Sequence, residues 1–225
     1  MLFEIEEIQT SLFYVQLLES LELIFECMTM KQLFYLWNFK PNEMRDIPSD
    51  VIRNNEKYFS EHWVISPDDI PLSFPKVKEV YYALPKWVSQ TDLARLLYVY
   101  EYGGIYCDVD CFIKKSFELG EVTLFVEWVC KIEDLGPREC KTNLVRIANY
   151  CFSSTPKHPF IKEVIEECIR RVQEIPIAKP TDADILWCCG PDVITTIYHL
   201  RKDIYPNIQL YNNNYLDHRC YGSWR

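Results

Sequence analysis

Asp108 and Asp110 stand one residue apart at the end of the run Tyr102-Gly103-Gly104-Ile105-Tyr106-Cys107-Asp108-Val109-Asp110, a glycine pair followed by an apolar, β-prone stretch. A strand over 105–110 would turn Tyr106, Asp108 and Asp110 to one face and Ile105, Cys107 and Val109 to the other. Two carboxylates stacked beside an aromatic ring are costly to bury unless a cation sits between them. Oxygen ligands at a strand end suit Mg²⁺ or Mn²⁺, which keep several waters and share a diphosphate with the protein. The chemistry expected here is that of a metal-diphosphate site.

Upstream, Asp92 and Arg95 are three residues apart on a predicted helix and so share a face. One reading is a surface ion pair of little energetic weight. The other sets Asp92 on sugar hydroxyls and Arg95 on a phosphate or sugar oxygen, which a guanidinium can grip in a bidentate way. This helix is expected to begin at Ser89, with Ser89 or Thr91 as its cap, and to stop at Gly103-Gly104.

The elements that must position these groups alternate between helix and strand. Residues 1–30 carry apolar positions Ile5, Ile8, Leu12, Val15 and Leu18 at helical spacing. A short buried strand is expected over 32–39, a helix over 48–58 with Asp50 in its first turn, and a strand at 63–65 that ends in the turn-rich Ser66-Pro67-Asp68-Asp69. Pro71, Pro75 and Pro85 mark a loop region. A strand follows at 122–128. His158-Pro159 opens an amphipathic helix with Phe160, Ile161, Val164, Ile165, Cys168, Ile169 and Val172 on its apolar stripe. Ile185–Cys189 reads as a strand, and Gly190-Pro191-Asp192 starts another helix. The pattern is that of an α/β domain, whose sites gather at the carboxyl ends of strands.

Composition narrows the function classes. The chain has 225 residues, 48% hydrophobic and 15% aromatic, enough to bury one sizeable core. Its net charge of −9 argues against a nucleic-acid partner and against docking on an anionic membrane surface. None of its ten cysteines forms a C-x-x-C pair, so a zinc knuckle is not expected, and small buried thiols in a reducing, cytoplasmic setting are. The first 25 residues include Glu4, Glu6, Glu7, Glu19 and Glu22, without a basic leader or an apolar run of about 18 residues. Neither a signal peptide nor a membrane-inserted helix is expected.

The segment Ser89-Gln90-Thr91-Asp92-Leu93-Ala94-Arg95, followed by Tyr102-Gly103-Gly104-Ile105-Tyr106-x-Asp108-x-Asp110, resembles the signature of the DXD-motif sugar transferases. That group includes yeast α-mannosyltransferases and compact bacterial and viral enzymes, with the glucosylating domain of large clostridial toxins more distant. The resemblance extends through Phe34-Tyr35-Leu36-Trp37, Ala148-Asn149, Pro156–Phe160, Gly190-Pro191, His218 and Gly222-Ser223-Trp224. It lacks the family's Ile-Pro-Lys opening before Phe34 and leaves residues 1–30 outside. It implies a single GT-A-like, Rossmann-like domain (31–225) with a mixed central sheet flanked by helices, and the apolar spacing over 1–30 makes that stretch an expected N-terminal helical extension.

It also implies roles. Asp110 would bind Mn²⁺ or Mg²⁺, with His218 completing the coordination. Asp108 would face the ribose, the donor sugar or a metal-bound water. Trp37 would stack on the base, the alternative being a core Trp. Ser223 and Trp224 would close on the phosphates, or Trp224 would simply anchor the chain end. Tyr35, Thr91 and Tyr106 would contact the donor, with Tyr106 supporting the site. The implied activity is a metal-dependent, retaining transfer from a nucleotide-sugar donor, UDP-sugar favoured over GDP-sugar, to a glycan or glycoprotein acceptor. Alternatives are a catalytically silent nucleotide-sugar-binding module, a haloacid-dehalogenase-type phosphatase, disfavoured because Cys111-Phe112 follows the Asp pair, and a nucleotidyltransferase, which would want a glycine-rich phosphate loop.

Overall fold

The computed structural model describes residues 32–40, 42, 45–59, 61–84, 86–134, 144–176 and 178–220. The predicted N-terminal helices, and Ser223 and Trp224, lie outside the described residues.

In chain order the elements are β1 (Leu33–Leu36), α1 (Ser49–Asn55), β2 (His62–Ile65), α2 (Val77–Ala83), α3 (Trp87–Tyr102), β3 (Gly104–Cys107), β4 (Cys111–Ile113), β5 (Val122–Val129), β6 (Val145–Ile147), β7 (Cys151–Ser154), α4 (Pro159–Val172), α5 (Asp182–Cys188), α6 (Pro191–Arg201), β8 (Gln209–Tyr211) and β9 (Leu216–His218). Seven strands form a mixed sheet in the order β2-β1-β3-β7-β5-β6, with β8 pairing β5. β1 is parallel to β2 and β3, while β7 is antiparallel to both β3 and β5. A separate antiparallel pair joins β4 to β9. This is the expected α/β architecture, a mixed sheet flanked by helices.

Strand alternation builds two cores. Phe34, Leu36, Tyr106 and Phe152 face the helices, packing with Leu93, Leu97, Phe160, Val164 and Val193. Leu33, Tyr35, Ile105, Cys107 and Cys151 face the other way, toward β4 and β9. Asn55, fully buried at the end of α1, joins α1 to β4. Its amide donates to the Tyr35 hydroxyl (3.0 Å) and to the Cys111 carbonyl (3.1 Å), and accepts from the Ile113 N–H (2.9 Å).

Four expectations are corrected. α3 starts at Trp87 rather than Ser89, and Lys86 precedes it without a side-chain cap. Thr91 is inside the helix, its hydroxyl donating to the Trp87 carbonyl at 2.9 Å. The proline-marked loop region contains α2. Residues 185–188 are helical, not extended, because Thr181 and Asp184 form a reciprocal capping box ahead of them. Strand β3 ends at Cys107, so the aspartates lie beyond it and strand alternation does not orient them.

The join between α3 and β3 is tight. Gly103 has φ +71°, and a Cβ there would meet Pro156 Cδ at 2.7 Å. Glycine alone accepts both the left-handed backbone and that approach.

Candidate active site

Past β3 the chain turns at once. The Cys111 N–H bonds back to the Asp108 carbonyl (3.0 Å), reversing direction into β4. β4 pairs with β9 in the register Cys111↔His218, which brings a residue more than a hundred positions away beside the aspartates. His218 Nε2 lies 3.2 Å from Asp110 Oδ1 and 3.8 Å from Asp108 Oδ2. The imidazole stacks on Tyr150 with centroids 4.0 Å apart, and the Asp108 N–H donates to the Tyr150 carbonyl (2.7 Å). One ligand atom from each of Asp108, Asp110 and His218 lies within 4.8 Å of the others.

Beneath the aspartates runs a buried charge network. Arg95, 5% exposed, reaches Asp92 Oδ1 at 2.9 Å and Asp108 Oδ1 at 3.2 Å. It also donates to the Asn149 carbonyl (2.8 Å) and lies 4.7 Å from the centre of the Tyr106 ring. The Tyr106 hydroxyl donates to Asp108 Oδ1, and Asn149 Nδ2 donates to Asp92 Oδ1 (3.0 Å). The Asp92–Arg95 pair is therefore no surface ion pair. Arg95 anchors two carboxylates, and its guanidinium is engaged within the protein before any ligand arrives.

Electrostatics follow from this burial. Desolvation pushes the Asp92 carboxyl up to about 7, against the pull of Arg95. It also raises Asp108, with Arg95 and His218 opposing and Asp110 adding to the rise. Burial alone would lower His218, but its bond to Asp110 and the charge of Asp108 reverse the sign and raise it. Arg95 is held protonated, its neighbouring acids outweighing the cost of burial.

A cavity of about 250 Å³ opens above this network, lined among others by Trp37, Trp87, Thr91, Tyr106, Asp108 and His218. Trp37 is half-buried at its rim, with its indole N–H tied to the Arg45 carbonyl (2.7 Å). A larger depression, about 500 Å³, lies at Phe74, Tyr100 and Lys157. It contains none of these acids, so the smaller cavity is the candidate site. Tyr35, expected at the donor, is not in either: it is fully buried on the opposite face of the sheet and bonded to Asn55. Sequence reasoning overlooked Trp87 and Tyr150, and met Asn149 only through the resemblance. Trp87 sits four residues before Thr91, a helical spacing that puts both on one side of α3 and could have flagged it.

The residue set fits a hard divalent cation. Two carboxylates and an imidazole converge, and His218 turns Nδ1 toward Cys220 Sγ (3.5 Å). A neutral ring protonated at Nδ1 thus presents Nε2 to the ion. Ligand bonds of about 2.1 Å to Mg²⁺ put two donors on one ion up to about 4.2 Å apart, which small side-chain rotations reach from the spread seen here.

Residues 41–126 match a protein family described as the glycosyltransferase sugar-binding region containing DXD motif. Over this stretch, less than half of the chain, the sequence is similar to that glycosyltransferase region. The matched stretch holds Asp92, Arg95, Asp108 and Asp110 and stops short of His218. Inositol phosphoceramide mannosyltransferase 1 of Schizosaccharomyces pombe is 30% identical over 88 residues, 38% of this chain and 24% of that protein. The putative glycosyltransferase HOC1 of Saccharomyces cerevisiae is 26% identical over 108 residues, 43% of this chain and 26% of that protein. The alignments thus span only about a quarter of the length of these curated relatives. Among solved structures, the PaToxG glycosyltransferase superposes with a TM-score of 0.53 at 14% identity, covering 89% of this chain and 85% of that one. This last likeness is one of fold.

Proposed function

We propose that this DXD protein is a metal-dependent glycosyltransferase that moves a sugar from a nucleotide diphosphate donor to a glycan or protein-linked sugar, with retention at the anomeric carbon. The carrying observation is the convergence of Asp108, Asp110 and His218 on one side of a cavity rimmed by tryptophan. In this reading Asp110 and His218 hold Mn²⁺ or Mg²⁺, which when bound stabilises negative charge on the leaving diphosphate. Asp108 is held by Arg95 and Tyr106 so that its other oxygen faces the donor. Trp37 offers its face to the base; Asp92, expected on sugar hydroxyls, is buried against Arg95 and outside the cavity lining, so it supports the site by holding Arg95. Thr91 lines the cavity.

Arg95 acts through Asp92 and Asp108 and is a positioning residue. No side chain is placed as a covalent nucleophile, so attack is assigned to the donor face from which the diphosphate departs. The resemblance favours a UDP-sugar over a GDP-sugar. A cytoplasmic, reducing setting is the one proposed, on the buried, unbridged thiols of Cys107, Cys111, Cys151, Cys168, Cys188 and Cys189. Among the described residues, no helix is long and apolar enough to cross a membrane.

The test is Mn²⁺-dependent hydrolysis of a panel of UDP- and GDP-sugars. Free sugar released from one donor, and lost in Asp110→Ala, is the expected result. Phosphate release from simple phosphomonoesters, with every nucleotide sugar untouched, refutes the reading.

A further inference from the structure

We infer that the carboxyl end of β5 and the amino end of β6 form a second subsite, for the ring of a neutral acceptor sugar, with Trp128 as its platform and Glu127 as its hydroxyl partner. The inference rests on the glycosyltransferase reading for the word acceptor, and on geometry for the subsite itself.

The topology places it. β7 is antiparallel to both β3 and β5, so β3 and β5 run the same way and end at the same edge of the sheet. Trp37 follows β1, on one side of β3, while β5 and β6 lie on the other side beyond β7. The cavity and the β5–β6 end therefore flank Asp108 from opposite sides. Tyr150 lies between them, stacked on His218, and the charge of Glu127 acts on both residues.

The local chemistry suits a polyol. β5 carries a register irregularity between Val126 and Trp128, and irregularities of this kind re-aim side chains near sites. Both Glu127 and Trp128 then meet Arg146. The Arg146 Nε lies 3.0 Å from Glu127 Oε2, its Nη1 lies 2.6 Å from Asp192 Oδ1, and its guanidinium sits 5.2 Å from the Trp128 ring centre. Arg146 and Asp192 are buried, Glu127 is half-buried and Trp128 is 49% exposed, so a fixed cation holds one carboxylate and an aromatic ring at the surface. With Asp192 also paired to Arg146, the guanidinium is neutralised, so the Glu127 carboxylate disfavours a phosphate and accepts from hydroxyls. An exposed indole gives the apolar face of a pyranose a flat, pre-set surface of low entropic cost.

The experiment is ligand-observed NMR with methyl α-mannopyranoside, methyl β-glucopyranoside and methyl β-galactopyranoside, without metal or donor. At least one glycoside is expected to receive saturation from the protein. Its affinity is expected to fall roughly tenfold in Trp128→Ala, a loss of the size a stacked aromatic contributes, and to survive in Trp128→Phe. Glu127→Gln, which keeps the shape, is expected to weaken binding less than Trp128→Ala. No binding by any of the three, or equal binding by wild type and Trp128→Ala, overturns the subsite. With an active donor in hand, the ratio of transfer to hydrolysis falls in Trp128→Ala. An equal fall of both activities overturns the acceptor assignment. A wild type that binds a glycoside but hydrolyses no nucleotide sugar sinks the enzymatic reading and leaves the subsite standing.

Discussion

Arg95→Met is the most informative single change. Methionine keeps the length and apolar stem of arginine and removes the charge. Arg95 is 5% exposed and Asp92 6%, so Asp92 would lose its only ion-pair partner among the described residues, and Asp108 the guanidinium 3.2 Å away. Removing one partner of a buried pair costs about 3–5 kcal/mol, because the other charge stays behind without water. Asp92 is the charge left without water, while Asp108 lines the cavity and keeps solvent, so the loss falls within that range, a large part of the roughly 5–15 kcal/mol that holds a domain folded. Adding Asp92→Asn removes one stranded carboxylate. The asparagine can still accept from Asn149. The double variant should therefore be more stable than the sum of the two single effects by about 1–3 kcal/mol. Urea unfolding followed by tryptophan fluorescence, run as a complete double-mutant cycle, measures both quantities. An Arg95→Met protein within about 1 kcal/mol of wild type, or strict additivity in the cycle, would refute the buried-anchor role, since an exposed pair contributes at most about that much.

Gly103→Ala should cost about 2–3 kcal/mol, from a left-handed backbone and the 2.7 Å approach to Pro156; a neutral result in thermal unfolding would mean that the α3–β3 join tolerates a side chain. His158 caps α4 by accepting the Phe160 N–H at Nδ1 (3.1 Å), and burial lowers its pKa, with Glu121 partly opposing. The unfolded chain therefore binds a proton first, so this contribution to stability is present above the ordinary value of 6.5 and is lost as pH falls toward the lower folded value. His158→Asn keeps an oxygen acceptor at the cap and should flatten that stretch of the Tm-against-pH curve; an unchanged slope would remove His158 as its cause.

Much of the site was legible because its chemistry is local in sequence. Asp92 and Arg95 share a helix face by spacing alone, the glycine pair announces the stop, and the Asp-x-Asp follows within a few residues. Ile185–Cys189 was misread because five apolar or thiol residues suit either period. The deciding signal was the capping pair Thr181 and Asp184 just ahead of them. Tyr35 was misplaced because a strand's neighbours alternate between faces: Phe34 and Leu36 look toward the helices while Tyr35 looks away. The β5–β6 end gave no sequence signal, because Glu127, Arg146 and Asp192 come from three separated segments.

The sequence by itself determined that two acids and a basic residue would lie close to a strand end, because helix and strand periods act over a few residues. Only the tertiary structure decided what they do there. Strand β3 stops short, a turn rather than alternation aims Asp108 and Asp110, and the β4–β9 register delivers His218 to them. Burial, a property of packing rather than of spacing, makes Arg95 the cation that holds Asp92 and Asp108 in place.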